Sequence, residues 1–196
     1  RQSPRAKAGV LDGNPVREDI EEAGRLVRID FIFNVIVDEQ KRILTAVAGH
    51  PYQAFREGVR RYERLFDIRV PAPVDIVVAS PGGHPKDINL YQAQKTLDNV
   101  VPALKKGGTI VLVSHCPEGY GNRVFAEWMK DVTVPGELAA RIARHFVLGG
   151  HKAAAIAELF TRANVSLVSD FPSEEVEAMG MRPFAEPDTA LADAFG

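Results

Sequence analysis

Three side chains that can hold a carboxylate lie close together near the middle of the sequence. Tyr91, Gln92 and Lys95 offer a hydroxyl, an amide and a cation. Residues four apart on a helix lie on one face, so Tyr91 and Lys95 share a face, while Gln92 projects about 100° around from Tyr91. Such a set can bind a small carboxylate. The same spacing also fits a half-buried ring beside a solvated charge, with no ligand.

A glycine-rich turn precedes these residues. The β-branched run Val74 to Ala79 predicts a strand, Ser80 to Pro85 holds two prolines and two glycines, and a long helix is predicted from Lys86 with Asp87 as its N-cap. A strand, a turn and a helix in this order gather N–H groups at the carboxyl edge of a sheet, which favours an anion. Secondary candidates for the site come from this turn: Ser80, Gly82, Gly83, His84 and Lys86.

The remaining sequence predicts the elements that position this turn. Asn14 followed by Pro15 predicts a helix to about Leu26, strand-like runs at 29–37 and 41–48 predict a hairpin, and 51–66 predicts an amphipathic helix. The helix that carries Lys95 is expected to end at 105–108. Later strands are predicted at 109–113 and 166–169, and later helices at 123–129, 137–146, 151–162, 174–179 and 188–195.

This order of elements predicts the fold class. Strands that alternate with helices after a hairpin indicate an α/β layered sheet, mostly parallel with an antiparallel edge hairpin, and helices on both faces. Residues 1–13 are basic and lack apolar periodicity, so we interpret them as a linker remnant. Residues 14–196 are predicted to form a single α/β domain, because 196 residues with 45% hydrophobic composition suffice for one core.

Composition narrows the class of partner. A net charge of -2 with no basic, aromatic-rich run argues against nucleic acid. No apolar stretch approaches the roughly 18 residues that a membrane helix needs, and the start lacks a signal-peptide core. The single cysteine, Cys116, cannot form an internal disulfide, which fits a reducing compartment. We therefore expect a soluble, cytoplasmic protein.

The candidates for metal binding and nucleophilic catalysis are few. The five histidines and the cysteine show no known metal-ligand spacing: His50, His84, His115, His145, His151 and Cys116. His84 stands beside Lys86 in the turn, where it can fill a hydrogen bond or act as an acid or base. Cys116 beside His115 is better explained as a small buried thiol than as a nucleophile, and Trp128 as core packing. No metal site is predicted.

Two other motifs resemble known sites only in part. Gly119-x-Gly121 is half of a dinucleotide fingerprint, but Val124 occupies its third glycine position. Tyr91 and Lys95 also imitate the Tyr/Lys pair of short-chain dehydrogenases. Those enzymes have a glycine-rich first turn near the start of the chain, whereas residues 29–49 here indicate a hairpin.

Long segments of the sequence resemble one family. Residues 80–95, from Ser80-Pro-Gly-Gly-His to Tyr-Gln-Ala-Gln-Lys95, are similar to the signature of the C-terminal domain of nickel-dependent lactate racemases and related 2-hydroxy-acid racemases and epimerases. Further similar segments lie at 13–19, 30–35, 46–49, 146–155 and 165–170. The resemblance covers nearly the whole chain, so it is far more specific than a lone glycine motif.

The resemblance implies a function and a missing partner. Members of the family are two-domain isomerases whose N-terminal domain supplies the catalytic histidines, the nickel ligand and the lysine joined to a nickel-pincer nucleotide. In this chain, the resemblance implies that Tyr91, Gln92 and Lys95 bind the carboxylate of a small 2-hydroxy acid in the interdomain cleft. No catalytic residue and no bound cofactor are expected in this fragment, which should be inactive alone.

One departure from the family concerns the substrate. Lactate racemases of this family place a tryptophan in the helix after the Gly149–Gly150 turn, whereas Ala153 to Ala155 occupy that region here. A smaller lining would admit a 2-hydroxy acid larger than lactate. The alternative from another functional class is a non-catalytic module that binds a small anion, or regulates, through the turn at Ser80 to Lys86.

Overall fold

The chain divides into two compact units, Arg1–Arg69 and Val70–Gly196. The structure, a computed structural model, describes residues 3–7, 9–132 and 134–196. This division is finer than the one domain that the sequence predicts over residues 14–196, and that organisation stays a prediction. None of the helices within these described ranges combines the length and the apolar character that a bilayer crossing requires.

The first unit is a helix, a hairpin and a second helix. Its elements are α1 (Pro15–Leu26), β1 (Ile32–Val37), β2 (Ile43–Gly49) and α2 (Pro51–Phe66). These match the predicted helices and hairpin. The Asn14 side chain accepts a hydrogen bond from the amide of Val16, as the N-cap prediction requires, and its own amide donates to the carbonyls of Lys7 and Val10. Part of the predicted linker is thereby fixed to the start of α1.

The two faces of the hairpin differ. Val47 is buried beneath α2, where Gly58 leaves room for it. Phe33 and Val35 lie on the opposite face, because side chains alternate along a strand and Asn34 pairs with Val47. Ile43 joins them, because it pairs with Val37 beyond a register shift that adds one residue to β2. These three side chains are 65%, 41% and 67% exposed. The first unit therefore presents an apolar hairpin face.

The second unit is a parallel sheet between helices. Its elements are β3 (Val74–Ala79), α3 (Leu90–Ala93), α4 (Lys95–Val100), a 3₁₀ turn (Val101–Ala103), β4 (Leu104–Val113), α5 (Arg123–Met129), α6 (Pro135–Arg144), α7 (Gly150–Phe160), β5 (Asn164–Val168), α8 (Ser173–Ala178), β6 (Arg182–Phe184) and α9 (Pro187–Phe195). The strand order is β3-β4-β5-β6, and every neighbouring pair is parallel.

Alternating residues of β4 build a core on each face of this sheet. Ile110 and Leu112 are fully buried against a cluster that includes Phe125 of α5, while Val111 packs with Ala190 of α9 on the other face. The predicted α/β fold, with a parallel sheet, an antiparallel hairpin and helices, is confirmed. The hairpin, however, forms its own two-stranded sheet instead of an edge of the parallel one.

The predicted helix from Lys86 to 105–108 is wrong at both ends. The helical stretch begins at Leu90, its N-cap is Asn89 and not Asp87, and it is interrupted at Gln94. The carbonyls of Asp87 and Ile88 accept hydrogen bonds from the amides of Cys116 and Glu118, so this segment pairs with another loop. Residues 105–108 lie in β4, within the register shift between the Val74–Leu104 and Ile76–Thr109 pairs, and β6 was not predicted.

Candidate functional site

Two loops meet at the carboxyl edge of the parallel sheet. One follows β3 and the other follows β4, and backbone hydrogen bonds join them: Leu90 N to Gly119 O at 2.9 Å, and Tyr91 N to Tyr120 O at 3.2 Å. The first two amides of α3, which have no partner within a helix, are satisfied in this way. The second loop therefore fixes where α3 begins.

The buried side chain of Asn89 caps the first turn of α3. Its side-chain oxygen accepts a hydrogen bond from the amide of Gln92 at 3.1 Å, and the residue is 7% exposed. A Cβ at Gly121 would overlap the Asn89 side chain, and Gly121 has a φ of +73°, so two constraints require glycine there. The cap therefore depends on the neighbouring loop as well as on its own helix.

Replacing Asn89 with alanine is expected to lower the free energy of unfolding by about 1 kcal/mol, because the amide of Gln92 loses its side-chain partner and keeps only the backbone carbonyl of residue 89. Replacing it with serine, which is also a good N-cap, should cost clearly less. Urea unfolding of both variants beside the parent sequence measures the difference. Equal losses for alanine and serine would mean that the hydrogen bond contributes little and that packing dominates.

The three predicted carboxylate-binding residues lie together in this turn. Lys95 Nζ donates to Gln92 Oε1 at 2.7 Å, and Lys95 is exposed. An ammonium has three N–H donors, so this bond leaves two for a ligand. Tyr91 is half-buried, with its ring edge-on to Phe125 at 5.6 Å between centroids. The hydrogen bond within this group therefore joins Gln92 to Lys95, and the ring of Tyr91 packs on the side that faces the core.

Lys152 of α7 is a fourth member of this group that the sequence analysis missed. Its Nζ lies 2.5 Å from the carbonyl oxygen of Tyr91 and 3.6 Å from the centre of the Tyr91 ring. Partial burial, followed by the positive charge of Lys95, lowers the pKa of Lys152 to about 8, while Asp98 acts in the opposite direction. Because 61 residues separate Lys152 from Tyr91, no local spacing could reveal the contact.

Two glycines allow α7 to start close to α5. A Cβ at Gly150 would lie 2.7 Å from the ring of Trp128, and Gly149 has a φ of +98°. Trp128 is 3% exposed and Arg141 stacks over it at 4.0 Å, which confirms the prediction that this tryptophan packs in the core. The close approach brings the first turn of α7, and Lys152 with it, towards α3.

The secondary candidates, from Ser80 to Lys86, lie apart from the group formed by Tyr91, Gln92, Lys95 and Lys152. Ser80 and Gly83 line a cleft of about 350 Å³ at the carboxyl edge of the sheet, and Gly82 N donates to Ser80 Oγ at 3.1 Å. His84 and Lys86 are exposed. The cleft is otherwise lined by Asp87, Val113, Ser114, His115, Val168, Ser169, Asp170, Ala185 and Pro187. In the described part of the chain, no hydrogen bond joins this turn to the side chains of Tyr91, Gln92 or Lys95.

Acidic groups dominate the charge of this cleft. His115 Nε2 lies 2.5 Å from Asp170 Oδ2, which leaves that imidazole engaged with a carboxylate, and Asp87 lines the same cleft. Two carboxylates disfavour a free anion. The turn at Ser80 to Lys86 is therefore a poorer anion site than the sequence suggested.

The cysteine is buried, and the histidines of the described ranges belong to no metal-binding cluster. Cys116 is 3% exposed, its Sγ lies 3.2 Å from Ser114 Oγ, and burial raises the pKa of the thiol. A thiol that resists ionisation is a poor nucleophile, as its interpretation as a buried thiol requires. Among the residues that the structure describes, no three His, Cys, Asp or Glu side chains gather to hold a metal ion.

The sequence relatives of this chain are lactate racemases. It is 31% identical over 195 residues to lactate racemase of Thermoanaerobacterium thermosaccharolyticum, covering 97% of this chain and 46% of that protein. It is 36% identical over 136 residues to lactate racemase of Lactiplantibacillus plantarum, covering 69% and 32% respectively. The chain thus spans less than half the length of these curated relatives.

Solved structures agree with the sequence relatives. The lactate racemase apoprotein of T. thermosaccharolyticum superimposes with a TM-score of 0.91 and 30% identity, over 98% of this chain and 47% of that one. A Thermotoga maritima protein matches with a TM-score of 0.62 over 87% of this chain and 47% of its own, and at 16% identity it supports the fold alone.

The family match has the same boundary as the second unit. Residues 70–196 match the lactate racemase C-terminal domain, and the second compact unit begins at Val70. The match takes in α3, α4 and α7, which carry the four grouped side chains described above. This chain therefore belongs to the lactate racemase family, whose C-terminal domain makes up its residues 70–196.

Proposed function

We propose that this chain is the C-terminal part of a longer 2-hydroxy-acid racemase or epimerase, and that it binds the substrate carboxylate through Tyr91, Gln92 and Lys95. The observation that carries the proposal is the Gln92–Lys95 hydrogen bond of 2.7 Å, which holds an exposed ammonium in one position in a family of racemases. A cation with free N–H donors is what a carboxylate requires.

The role of these residues is to bind and orient. Racemisation needs one carbon of the substrate to be held while a hydrogen leaves and returns, and a fixed carboxylate removes most of the freedom of a small acid. Gln92 restrains the ammonium of Lys95, and Asn89 accepts from the amide of Gln92, while the backbone of the second loop holds the two residues before Gln92. The side chain that meets the substrate is therefore supported by two layers of hydrogen bonds.

The substrate is proposed to be larger than lactate. Ala153 and Ala154 are buried in the core of the unit, so of the three alanines in this region only Ala155 is partly exposed. Ala155 is thus the position at which a small side chain would enlarge the space for the substrate.

The remaining machinery is proposed to lie outside this chain. The nickel-pincer nucleotide of the family would supply the chemistry at the substrate carbon, but no described group of side chains here fits a nickel ion. We propose that residues of the N-terminal part hold it and that the isolated fragment is inactive. The apolar hairpin face of Phe33, Val35 and Ile43 is proposed to pack against that part.

The direct test uses the longer parent protein loaded with its nickel cofactor. A panel of D- and L-2-hydroxy acids with side chains of increasing size is incubated with the enzyme, and chiral chromatography follows interconversion. We expect stereochemical scrambling of at least one acid larger than lactate. The matched control is the same panel with the isolated chain, for which no interconversion is expected.

The competing function is a module that binds a small anion without catalysis. It predicts that the parent protein, with its cofactor shown to be bound, interconverts no acid of the panel while the isolated chain binds one. The carboxylates of Asp87 and Asp170 in the cleft beside Ser80 weaken this alternative. Turnover of any acid that needs the N-terminal part would exclude it.

A further inference from the structure

Lys152 has a position that packing alone does not explain. A lysine on a surface helix ordinarily extends its ammonium into water, where the charge is best solvated. Here the side chain turns onto α3, donates to the carbonyl of Tyr91 at 2.5 Å and covers the ring of Tyr91 at 3.6 Å. The ammonium is half-buried beside Lys95, a second positive charge.

The contact with the Tyr91 carbonyl couples α7 to the proposed substrate site. Tyr91 is adjacent to Gln92, and Gln92 holds the ammonium of Lys95. Any shift of Lys152 therefore reaches Lys95 through one peptide unit and one hydrogen bond. The positive charge of Lys95 acts unfavourably on Lys152, and one anion bound between or beside the two lysines stabilises both charges.

We propose that Lys152 is a positioning residue for the substrate carboxylate, which fixes the Tyr91–Gln92 turn and adds a second positive charge to the one that Lys95 offers. This inference rests on the proposed function, because it names a further residue of the same site. It adds a residue from α7, remote in sequence, to a site otherwise built from α3 and α4.

The charges around Lys152 predict that its contribution to substrate binding depends on pH. The charged groups that act on Lys152 are Lys95 and Asp98 of α4, and the Tyr91 phenol of α3 faces it. The neighbouring helices α5 and α6 direct charges elsewhere, since Arg123 approaches Glu127 and Arg141 approaches Asp131. Lys152 without a ligand has a pKa of about 8, so half of its charge is lost at that pH and most of it well above that pH. A bound carboxylate favours the charged form and raises that pKa.

Substrate affinity should therefore fall as the pH rises through about 8, and binding above that pH should take up a proton. The experiment compares the parent enzyme with its Lys152→Arg and Lys152→Met variants at pH 7 and pH 9.5. KM for the best acid of the panel and calorimetric binding of that acid are both measured, with lactate as the titrant if no acid is turned over. Calorimetry in buffers of different ionisation enthalpy reports proton uptake.

We expect Lys152→Met to raise KM and the dissociation constant about tenfold at pH 7, with kcat changed less than threefold. It should also remove the proton uptake. Lys152→Arg, whose guanidinium stays charged, should bind nearly as well as the parent enzyme at pH 7 and keep that affinity at pH 9.5. Lys106→Met, which removes an exposed lysine from β4, is the matched control and should change nothing.

Two results would overturn the assignment: a Lys152→Met variant that binds with the pH dependence of the parent, or a Lys152→Arg variant no better than methionine. Circular dichroism of both variants excludes loss of folding as the cause. Failure of the proposed function has a different signature, which is binding without turnover. In that case the calorimetric comparison still decides the role of Lys152, and binding of no acid at all would refute both proposals.

Discussion

Replacing Lys95 with alanine in the parent enzyme is expected to lower kcat/KM for its 2-hydroxy acid about 10- to 100-fold. A hydrogen bond to a charged group contributes about 1.5–3 kcal/mol, and the substitution removes the cation that faces the carboxylate. The loss should appear mainly in KM, because the carboxylate is held in the ground state as well as in the transition state. Steady-state kinetics with the best acid of the panel measures both parameters.

Two companion variants make the interpretation of Lys95→Ala specific. Lys130→Ala removes an exposed lysine that follows α5, and its kinetics should match the parent enzyme. Gln92→Ala leaves the charge but releases the ammonium from its 2.7 Å partner, so its effect should be smaller than that of Lys95→Ala. Unchanged kinetics for Lys95→Ala would remove this lysine from the substrate site.

Local patterns were sufficient wherever a segment forms its own hydrogen bonds. Helix α2 was predicted at Pro51–Phe66 as observed, because its amphipathic spacing and the proline at its start act within the segment. Strand β3 was predicted at Val74–Ala79 for a similar reason, since a β-branched run between turns favours a strand. In both cases tertiary contacts reinforce the local preference.

The prediction failed where tertiary hydrogen bonds replace local ones. The segment from Lys86 to Ile88 has a helical pattern, yet its carbonyls pair with the loop after β4. Residues 105–108 have the pattern of a helix end, but β3 pairs with β4 on either side of them, at Leu104 and at 109–112, and Lys105 forms an ion pair with Asp75 at 2.7 Å. The sequence near each segment contains no information about such a distant partner.

The contacts of the candidate site are likewise of two kinds, one local in sequence and one between distant segments. The proximity of Gln92 to Lys95 follows from their spacing along the chain. The contact of Lys152 with Tyr91 depends on how closely α7 approaches α5, which Gly150 permits. The sequence shows two glycines at the start of α7, but it does not show that they allow α7 to approach the ring of Trp128 in α5.

Replacing Phe125 with alanine is expected to lower the free energy of unfolding by about 3–5 kcal/mol. Phe125 is fully buried, and its ring lies edge-on to Tyr91 at 5.6 Å and to Tyr120 at 6.4 Å. The alanine would leave a cavity beneath both loops of the candidate site. Urea unfolding of the parent protein and of the variant, fitted for equal m-values, measures the loss.

A Phe→Ala substitution at an exposed position is the control, because it removes the same ring without leaving a cavity in the core. Phe195 is 77% exposed, so Phe195→Ala should alter stability by less than about 0.5 kcal/mol. Because Tyr91 rests on Phe125, the Phe125→Ala variant should also bind the 2-hydroxy acid more weakly under conditions in which it remains folded. A variant that is destabilised but binds the acid normally would mean that the packing of Phe125 against Tyr91 does not position the carboxylate site.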